Sequence, residues 1–255
     1  MIQDVQAPLV LFPPKTSPAA GDYTFSFQEE RAALTAWAPD HIIATPLLSL
    51  GRTTFFLGTA PHIALEPLPK LRTLAPMSLR FGAFSALHLA RWMLTHRYCG
   101  NCRAPMIHRQ RCLQCATCGT TVFPTIAPAV IVGLIHNERL LITHYAEGAY
   151  QGPALVAGYC EVGETAENAV RRETQEETNL TVNALHYFGS QPWGLSGALL
   201  LGFFATVREP SVTLLDGELA DAQWLPRSAL PPPPPEGSMS LTGTMIQAFA
   251  NGLTF

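Results

Sequence analysis

Between Gly158 and Leu180 the chain reads GYCEVGETAENAVRRETQEETNL. Glu161, Glu164, Glu167, Glu173, Glu176 and Glu177 all fall there, although only 14 % of the whole chain is charged. A helix usually sets such acids against Lys or Arg one turn away. Here the basic residues are Arg171 and Arg172, and both precede the last three glutamates. Left alone, that cluster repels itself, and a cation held against it would remove the repulsion. At 100° per residue, with Ala169 at the origin, Glu173 lies at about 40°, Glu177 at about 80° and Glu176 at about −20°. The three carboxylates therefore share one helix face. Ala166 and Ala169 leave room on that face a turn earlier, Val170 and Thr174 turn to the core, and Arg172 can reach Glu176. Oxygen ligands on a rigid element beside a glycine-bearing loop suit a hard divalent cation. Mg²⁺ takes few protein carboxylates and fills its remaining positions with water and substrate phosphate. A phosphate-bearing substrate follows from that chemistry. The plain alternative is a solvated acidic face.

A second cluster is sulfur. Cys99-x₂-Cys102 and Cys115-x₂-Cys118 form two CxxC pairs, the pattern of a four-thiolate zinc site. Cys112-x₂-Cys115 is also a CxxC; Gly119, which suits the tight turn after a knuckle, favours 115 and 118. Four thiolates leave no open position for substrate, so this site is expected to be structural. Cys160 reads as a small apolar residue.

Elements must carry these groups. YTFSF (23–27), HIIATPLLSL (41–50) and RTTFFLG (52–58) are β-branched and aromatic runs bounded by turn residues, which makes the N-terminal part β-rich. MSLRFGAFSALHLARWMLT (77–95) has Leu79, Ala83, Ala86, Leu87, Ala90 and Leu94 at helical spacing, with Ser78 as a candidate cap. APAVIVGLI (127–135), RLLITHY (139–145) and ALLLGFFATV (198–207) read as strands, and ALVAGY (154–159) as a short strand or loop. A helix is expected from Thr165, its N-cap, to about Thr178. LPPPPPEG (230–237) is a stiff connector before a closing amphipathic helix, about 239–251. The expected domains are 1–95, 96–123 around the cysteines, and 124–255.

With 255 residues and 47 % hydrophobic content the chain can bury a core and is not disordered by composition. No apolar run reaches the roughly 20 residues of a membrane helix. The N-terminus lacks the basic region of a signal peptide, so a cytoplasmic location is expected. The net charge of −3 hides an asymmetry. From Pro67 to Asn137 there is no Asp or Glu, while Lys70, Arg72, Arg80, Arg91, Arg97, Arg103, Arg109 and Arg111 give that segment +8 and leave −11 for the rest. Such a segment either faces phosphates or nucleic acid or complements an acidic neighbour in the same chain or another subunit.

Gly158-x₅-Glu164-x₇-Arg172-Glu173-x₂-Glu176-Glu177 has the spacing of the Nudix box, G-x₅-E-x₇-R-E-U-x-E-E-x-G-U with U apolar. Six fixed identities recur by chance on the order of 10⁻⁷ to 10⁻⁸ per start position, which decides against the solvated face. Thr174 stands at an apolar position and Asn179 at a glycine position; Asn tolerates the left-handed helix end. Together with HRYCGNC (96–102), FPTIAPAVIVG (123–133), AGYCEVGET (157–165) and SQPW (190–193), the chain resembles the zinc-containing NADH pyrophosphatases of the Nudix superfamily. The likeness covers roughly residues 75–250. It implies an α+β fold: a Nudix α/β/α sandwich with a mixed sheet, after a four-cysteine zinc ribbon and a β-rich N-terminal domain. It implies metal-dependent hydrolysis of NADH or NAD to nicotinamide mononucleotide and AMP, removal of NAD caps from RNA, and a homodimer.

By the same resemblance Glu173 and Glu177, with the Ala157 carbonyl, would hold Mg²⁺ or Mn²⁺. Glu218 would be a further ligand, Glu176 would complete the shell or activate water, and Arg172 would orient the glutamates. Phe123, Gln191, Pro192, Trp193, Gly194, Leu195, Ser196, Gly197, Ala198 and Ser240 fall where the family contacts substrate. The family tag S-Q-P-W-P-F-P-x-S reads SQPWGLSGA here. Leu195 stands for the aromatic that would stack on the nicotinamide ring, Gly194 and Ser196 for the prolines, and Ala198 for the closing serine. Two other readings follow: a pyrophosphatase with a shifted substrate such as ADP-ribose or a nucleoside triphosphate, and a zinc-ribbon nucleic-acid-binding protein with an inactive Nudix domain.

Overall fold

The computed structural model describes residues 11–12, 14–148, 150–215, 217–232 and 239–253. The chain divides into two compact units, Met1–Thr125 with Gly194–Gly197, and Ile126–Trp193 with Ala198–Phe255.

The first unit opens with six strands: β1 (Leu11–Phe12), β2 (Tyr23–Gln28), β3 (Arg31–Ala36), β4 (Ile42–Leu50), β5 (Thr53–Thr59) and β6 (Glu66–Pro67). They form one sheet in the order β1-β4-β5-β2-β3-β6, in which β2 and β5 run parallel. Phe25, Phe55 and Phe56 are fully buried in it. Helix α1 (Met77–Thr95) has the bounds expected from its apolar spacing and lies on β4, β5 and β2. Ala83, Ala86, Leu87 and Ala90 are completely buried. Two details differ from the sequence reading. Pro76 occupies the N-cap without a side-chain bond, so Ser78 sits inside the helix and does not cap it. Leu94, at the end of the stripe, is exposed. The ribbon follows as a small antiparallel sheet of β7 (Met106–Arg109), β8 (Cys112–Cys115) and β9 (Thr121–Val122).

The second unit contains β10 (Ala127–His136), β11 (Arg139–Tyr145), β12 (Val156–Tyr159), helix α2 (Ala166–Thr178), β13 (Val182–Trp193), β14 (Ala198–Val207), β15 (Leu219–Pro226) and helix α3 (Leu241–Ala250). The sheet order is β13-β14-β10-β11-β15, and β12 also pairs with β10. Only β10 and β14 are parallel, so the sheet is mixed.

Strand periodicity fixes what each face carries. Val130, Val132 and Leu134 of β10, with Phe203, Ala205 and Val207 of β14, pack with Ala169 and Val170 of α2. Ile131 of β10 and Phe204 of β14 point the other way, to Leu241, Met245, Ile246 and Phe249 of α3. One helix therefore covers each face, giving the α/β/α sandwich. Both faces being covered explains why β10 and β14 read as continuous apolar runs. Residues 233–238 of the proline-rich connector lie outside the described residues.

Candidate active site and metal centres

Helix α2 starts and stops where its sequence dictates. Thr165 caps it by accepting a bond from the Asn168 amide (3.2 Å), and Glu167 lies in the first turn, favourable to the helix dipole. Asn179 ends it in the left-handed region with φ 58°. Val170 and Thr174 are fully buried, as the helical angles require. Ala169 is fully buried too, so it belongs to the core and not to an open ligand face as the wheel suggested. Glu173 and Glu177 are turned toward the sheet, Glu177 being only 1 % exposed, while Glu176 faces solvent.

Arg172 organises the acids. Its Nε and Nη2 donate to both oxygens of Glu164 (2.9 Å each), and Nη1 donates to Glu173 (2.7 Å) and Glu176 (3.0 Å). Nη2 also donates to the Tyr159 carbonyl (2.9 Å). One guanidinium thus ties the helix to the loop that follows β12, by the bidentate geometry only Arg offers. Glu164, held by Arg172 and by the Glu161 amide, is kept below the usual carboxylate range. Arg172 is pushed further up, chiefly by Glu164. Burial raises Glu173 in spite of Arg172. The Arg172–Glu164 pair was hidden in the sequence, because the two lie eight residues apart across a loop.

Gly158 explains itself here. Val156 and Gly158 point to the α2 side of β12, and a Cβ at Gly158 would stand 2.0 Å from the Glu173 carboxyl carbon. Only glycine leaves the Glu173 carboxyl this place. Ala157, next to it, pairs with Ile131 of β10. Glu218 precedes β15 and is exposed; its carbonyl accepts from the Ala146 amide (2.8 Å). The β11–β15 ladder slips at His144/Tyr145, opposite this point, and such bulges re-aim a side chain. Tyr145 is the group sequence reasoning missed. Burial, then the charges of Glu177 and Glu218, push its phenol up to about 12. Glu218 also acts on Glu173, so Glu173, Glu177, Glu218 and Tyr145 form one electrostatic group.

Among the described residues the only three or more His, Cys, Asp or Glu ligand atoms that converge to within 4.8 Å are the thiols of Cys99, Cys102, Cys115 and Cys118. The glutamate carboxylates do not converge that closely. The Cys99 and Cys118 sulfurs lie 3.6 Å apart, and those of Cys102 and Cys115 3.4 Å. A tetrahedron with metal–sulfur bonds of about 2.3 Å has edges of about 3.8 Å, so the thiols fit such an ion. Cys112 stays outside the cluster at the start of β8. The two knuckles match. Cys99 N donates to Ala104 O and Arg103 N to Cys99 O; Cys115 N donates to Thr120 O and Gly119 N to Cys115 O. Arg103 (φ 63°) and Gly119 (φ 75°) take the same left-handed turn. The Thr120 hydroxyl and amide lower Cys118 to about 6, while, against the Ala104 amide, the Cys115 and Cys118 thiols push Cys102 up to about 12.

The remaining candidates are placed as follows. Trp193 ends β13 opposite Ala198 of β14, Pro192 pairs with Leu199 and Gln191 with Leu200. Gln191 Nε2 is buried without a hydrogen-bond partner among the described residues. The turn Gly194–Leu195–Ser196–Gly197 belongs to the first unit. Arg91 donates to the Leu195 carbonyl (2.5 Å), and a Cβ at Gly194 would meet the Phe84 carbonyl at 2.1 Å. Phe123, also in that unit, is 64 % exposed. Ser240 caps α3 by accepting from the Gly243 amide (3.1 Å). Cys160 packs beside the α2 core, as a small apolar residue would.

The family model described as NUDIX domain matches residues 125–241. A Haemophilus influenzae protein (strain PittGG) curated as "NAD-capped RNA hydrolase NudC" is 36 % identical over 158 residues, covering 58 % of this chain and 59 % of that protein. The Vibrio cholerae protein of the same name is 33 % identical over 190 residues, covering 73 % of this chain and 71 % of its own length. The crystal structure of a Nudix hydrolase from Nitrosomonas europaea aligns at 18 % identity and a TM-score of 0.47, over 61 % of this chain and 92 % of its own. The chain belongs to the Nudix family, in the group that holds the NudC relatives. It spans 59 % of the length of the Haemophilus relative.

Proposed function

We propose that this chain is a metal-dependent hydrolase of the pyrophosphate bond in NADH and NAD, yielding nicotinamide mononucleotide and AMP, and that it removes NAD caps from RNA. The observation that carries this reading is the single guanidinium that holds Glu164, Glu173 and Glu176 in fixed register beside the buried Glu177. The names of the Haemophilus and Vibrio relatives support the substrate.

Glu173, Glu177, Glu218 and the Ala157 carbonyl would hold Mg²⁺ or Mn²⁺, which when bound neutralises the diphosphate and activates water. Arg172 keeps Glu173 and Glu176 from drifting apart under their own repulsion. Glu176, the more open carboxylate at 53 % side-chain exposure against 13 % for Glu173, is bonded to Arg172 through one oxygen and can take the proton of the attacking water with the other. Tyr145 stays protonated at neutral pH and can donate to a developing phosphate charge. Zn²⁺ in the thiol cluster would be structural. We also propose a cytoplasmic location, which six cysteines without a disulfide suit, and a homodimer, on the resemblance to the family alone. Among the described residues no helix is long and apolar enough to cross a membrane.

The test is NADH with Mn²⁺ or Mg²⁺ and chromatography of the products. Native protein should release AMP and reduced nicotinamide mononucleotide, and Glu177→Gln should be slower by about 10²- to 10⁴-fold. Equal rates for the two proteins would remove the glutamates from the chemistry. The altered tag, with its turn on Phe84 and Arg91, favours one second reading. ADP-ribose cleaved in preference to NADH would transfer the reading to a shifted substrate.

A further inference from the structure

Two threonines interrupt the apolar layer between α2 and the sheet. Thr174 of α2 and Thr143 of β11 are both completely buried, and among the described residues neither hydroxyl has a hydrogen-bond partner. A buried hydroxyl left unpaired is costly. A helical threonine can satisfy itself on the carbonyl four residues back, as Thr178 does by donating to the Thr174 carbonyl (2.5 Å). The Thr174 hydroxyl does not. Thr174 also stands where the box calls for an apolar residue, so packing asks for no hydroxyl there.

Both side chains enter the same layer. Thr143 shares its strand face with Leu141, and its cross-strand neighbour Ala222, like Leu141, packs in the α2 core. Its neighbour on the other side is Ala154, so small side chains flank the hydroxyl and leave room beside it. Thr174 precedes Glu177 by three residues, the spacing at which helical side chains are neighbours. Both carboxylate oxygens of Glu177 are buried, and the charge of Glu177 reaches Tyr145, two residues beyond Thr143. Two hydroxyls and a carboxylate therefore lie in one dry layer, and about three polar partners is the usual complement of a buried water.

We propose that Thr143 and Thr174 hold an internal water against Glu177 and through it fix the aim of that carboxylate. Both threonines are then positioning residues. The proposal rests on the reading of Glu177 as a ligand of Mg²⁺ or Mn²⁺.

The experiment titrates the full-length, zinc-loaded protein with Mn²⁺ in the absence of substrate and reads free Mn²⁺ by electron paramagnetic resonance. Thr174→Val should raise the Mn²⁺ dissociation constant about 10-fold, the lower end of the range for a group behind a metal ligand, and Thr143→Val should do the same. Thr174→Ser keeps the hydroxyl and should bind as native protein does. The double valine variant should bind no more weakly than the worse single one, because both hydroxyls serve one water. It should also melt close to native protein, since it leaves no hydroxyl orphaned. Metal affinity lost without stability separates aiming from packing. Native affinity in Thr174→Val would overturn the proposal. So would weak binding by Thr174→Ser, which would assign the effect to packing. Glu177→Gln reports on the reading beneath: native Mn²⁺ affinity in that variant would overturn both, whereas weak binding there beside native binding in the valine variants would overturn the water alone.

Discussion

At the scale of single residues, Arg172 and Gly158 decide whether the acidic helix is an asset or a liability. Arg172 converts three repelling carboxylates into one hydrogen-bonded array. Glu164 is its strongest partner, and the pair has a pH signature. Its folded carboxyl titrates below the ordinary range, so its contribution to stability is complete above that range and is lost as pH falls through the depressed value. Glu164→Gln should therefore melt below native protein at pH 7, and the gap should close on acidification; a gap constant with pH would show that the pair contributes no linkage. Gly158→Ala puts a methyl into the Glu173 carboxyl. Displacing that carboxylate should cost about 10²-fold in turnover, with far less change in melting temperature. Native turnover by this variant would mean that Glu173 has room to step aside without harm.

Much of this was legible in the sequence, because the box is dense in fixed identities. Fixed spacing placed Glu173, Glu176 and Glu177 on one face and Asn179 in the left-handed turn. It could not show that Ala169 faces inward, since a wheel gives angles but no reference to the sheet. Tyr145 was invisible for another reason. Its position depends on a slipped register opposite Leu219, and no local pattern announces a bulge.

At the scale of elements, strands buried on both faces and helices with a clear stripe could be read directly, which is why α1, α2, β10 and β14 emerged near their true bounds. Strands β3, β13 and β15 did not. LADAQWLP of β15 alternates weakly, with Leu219 buried but most of its neighbours only partly so, and it is a strand because β11 pairs with it. The ribbon was legible from its thiols alone. Its two knuckles share hydrogen bonds and turn geometry, yet one uses Gly119 and the other Arg103. Cys118→Ser should lower zinc content and reduce the melting temperature by about 4–8 °C if some 2 kcal/mol is lost, with NADH turnover per folded molecule unchanged. A zinc-free variant that melts like native protein would show the ion is not structural.

At the scale of the whole molecule, charge is sorted by region. The acid-free stretch from Pro67 to Asn137 covers α1 and the ribbon, while the box and its neighbours hold the carboxylates. The carboxylates proposed to hold cations and the acid-free basic run thereby lie in different stretches of one chain. The centre of the second unit is the parallel pairing of β10 with β14, from Ala127 with Ala198 to Ile135 with Thr206. The two strands are about 70 residues apart in the chain. During translation at about 5–20 residues per second, β10 leaves the ribosome roughly 4–14 s before its partner exists. For that interval β11, β12 and α2 can shelter it, but its β14 edge and the face that α3 covers stay open, so the newborn chain passes through a sticky stage that chaperones would cover. Nascent chains arrested before Ala198 should be cut by protease within β10, and chains arrested well past Val207 should resist; protection before β14 has emerged would mean another segment shields it first.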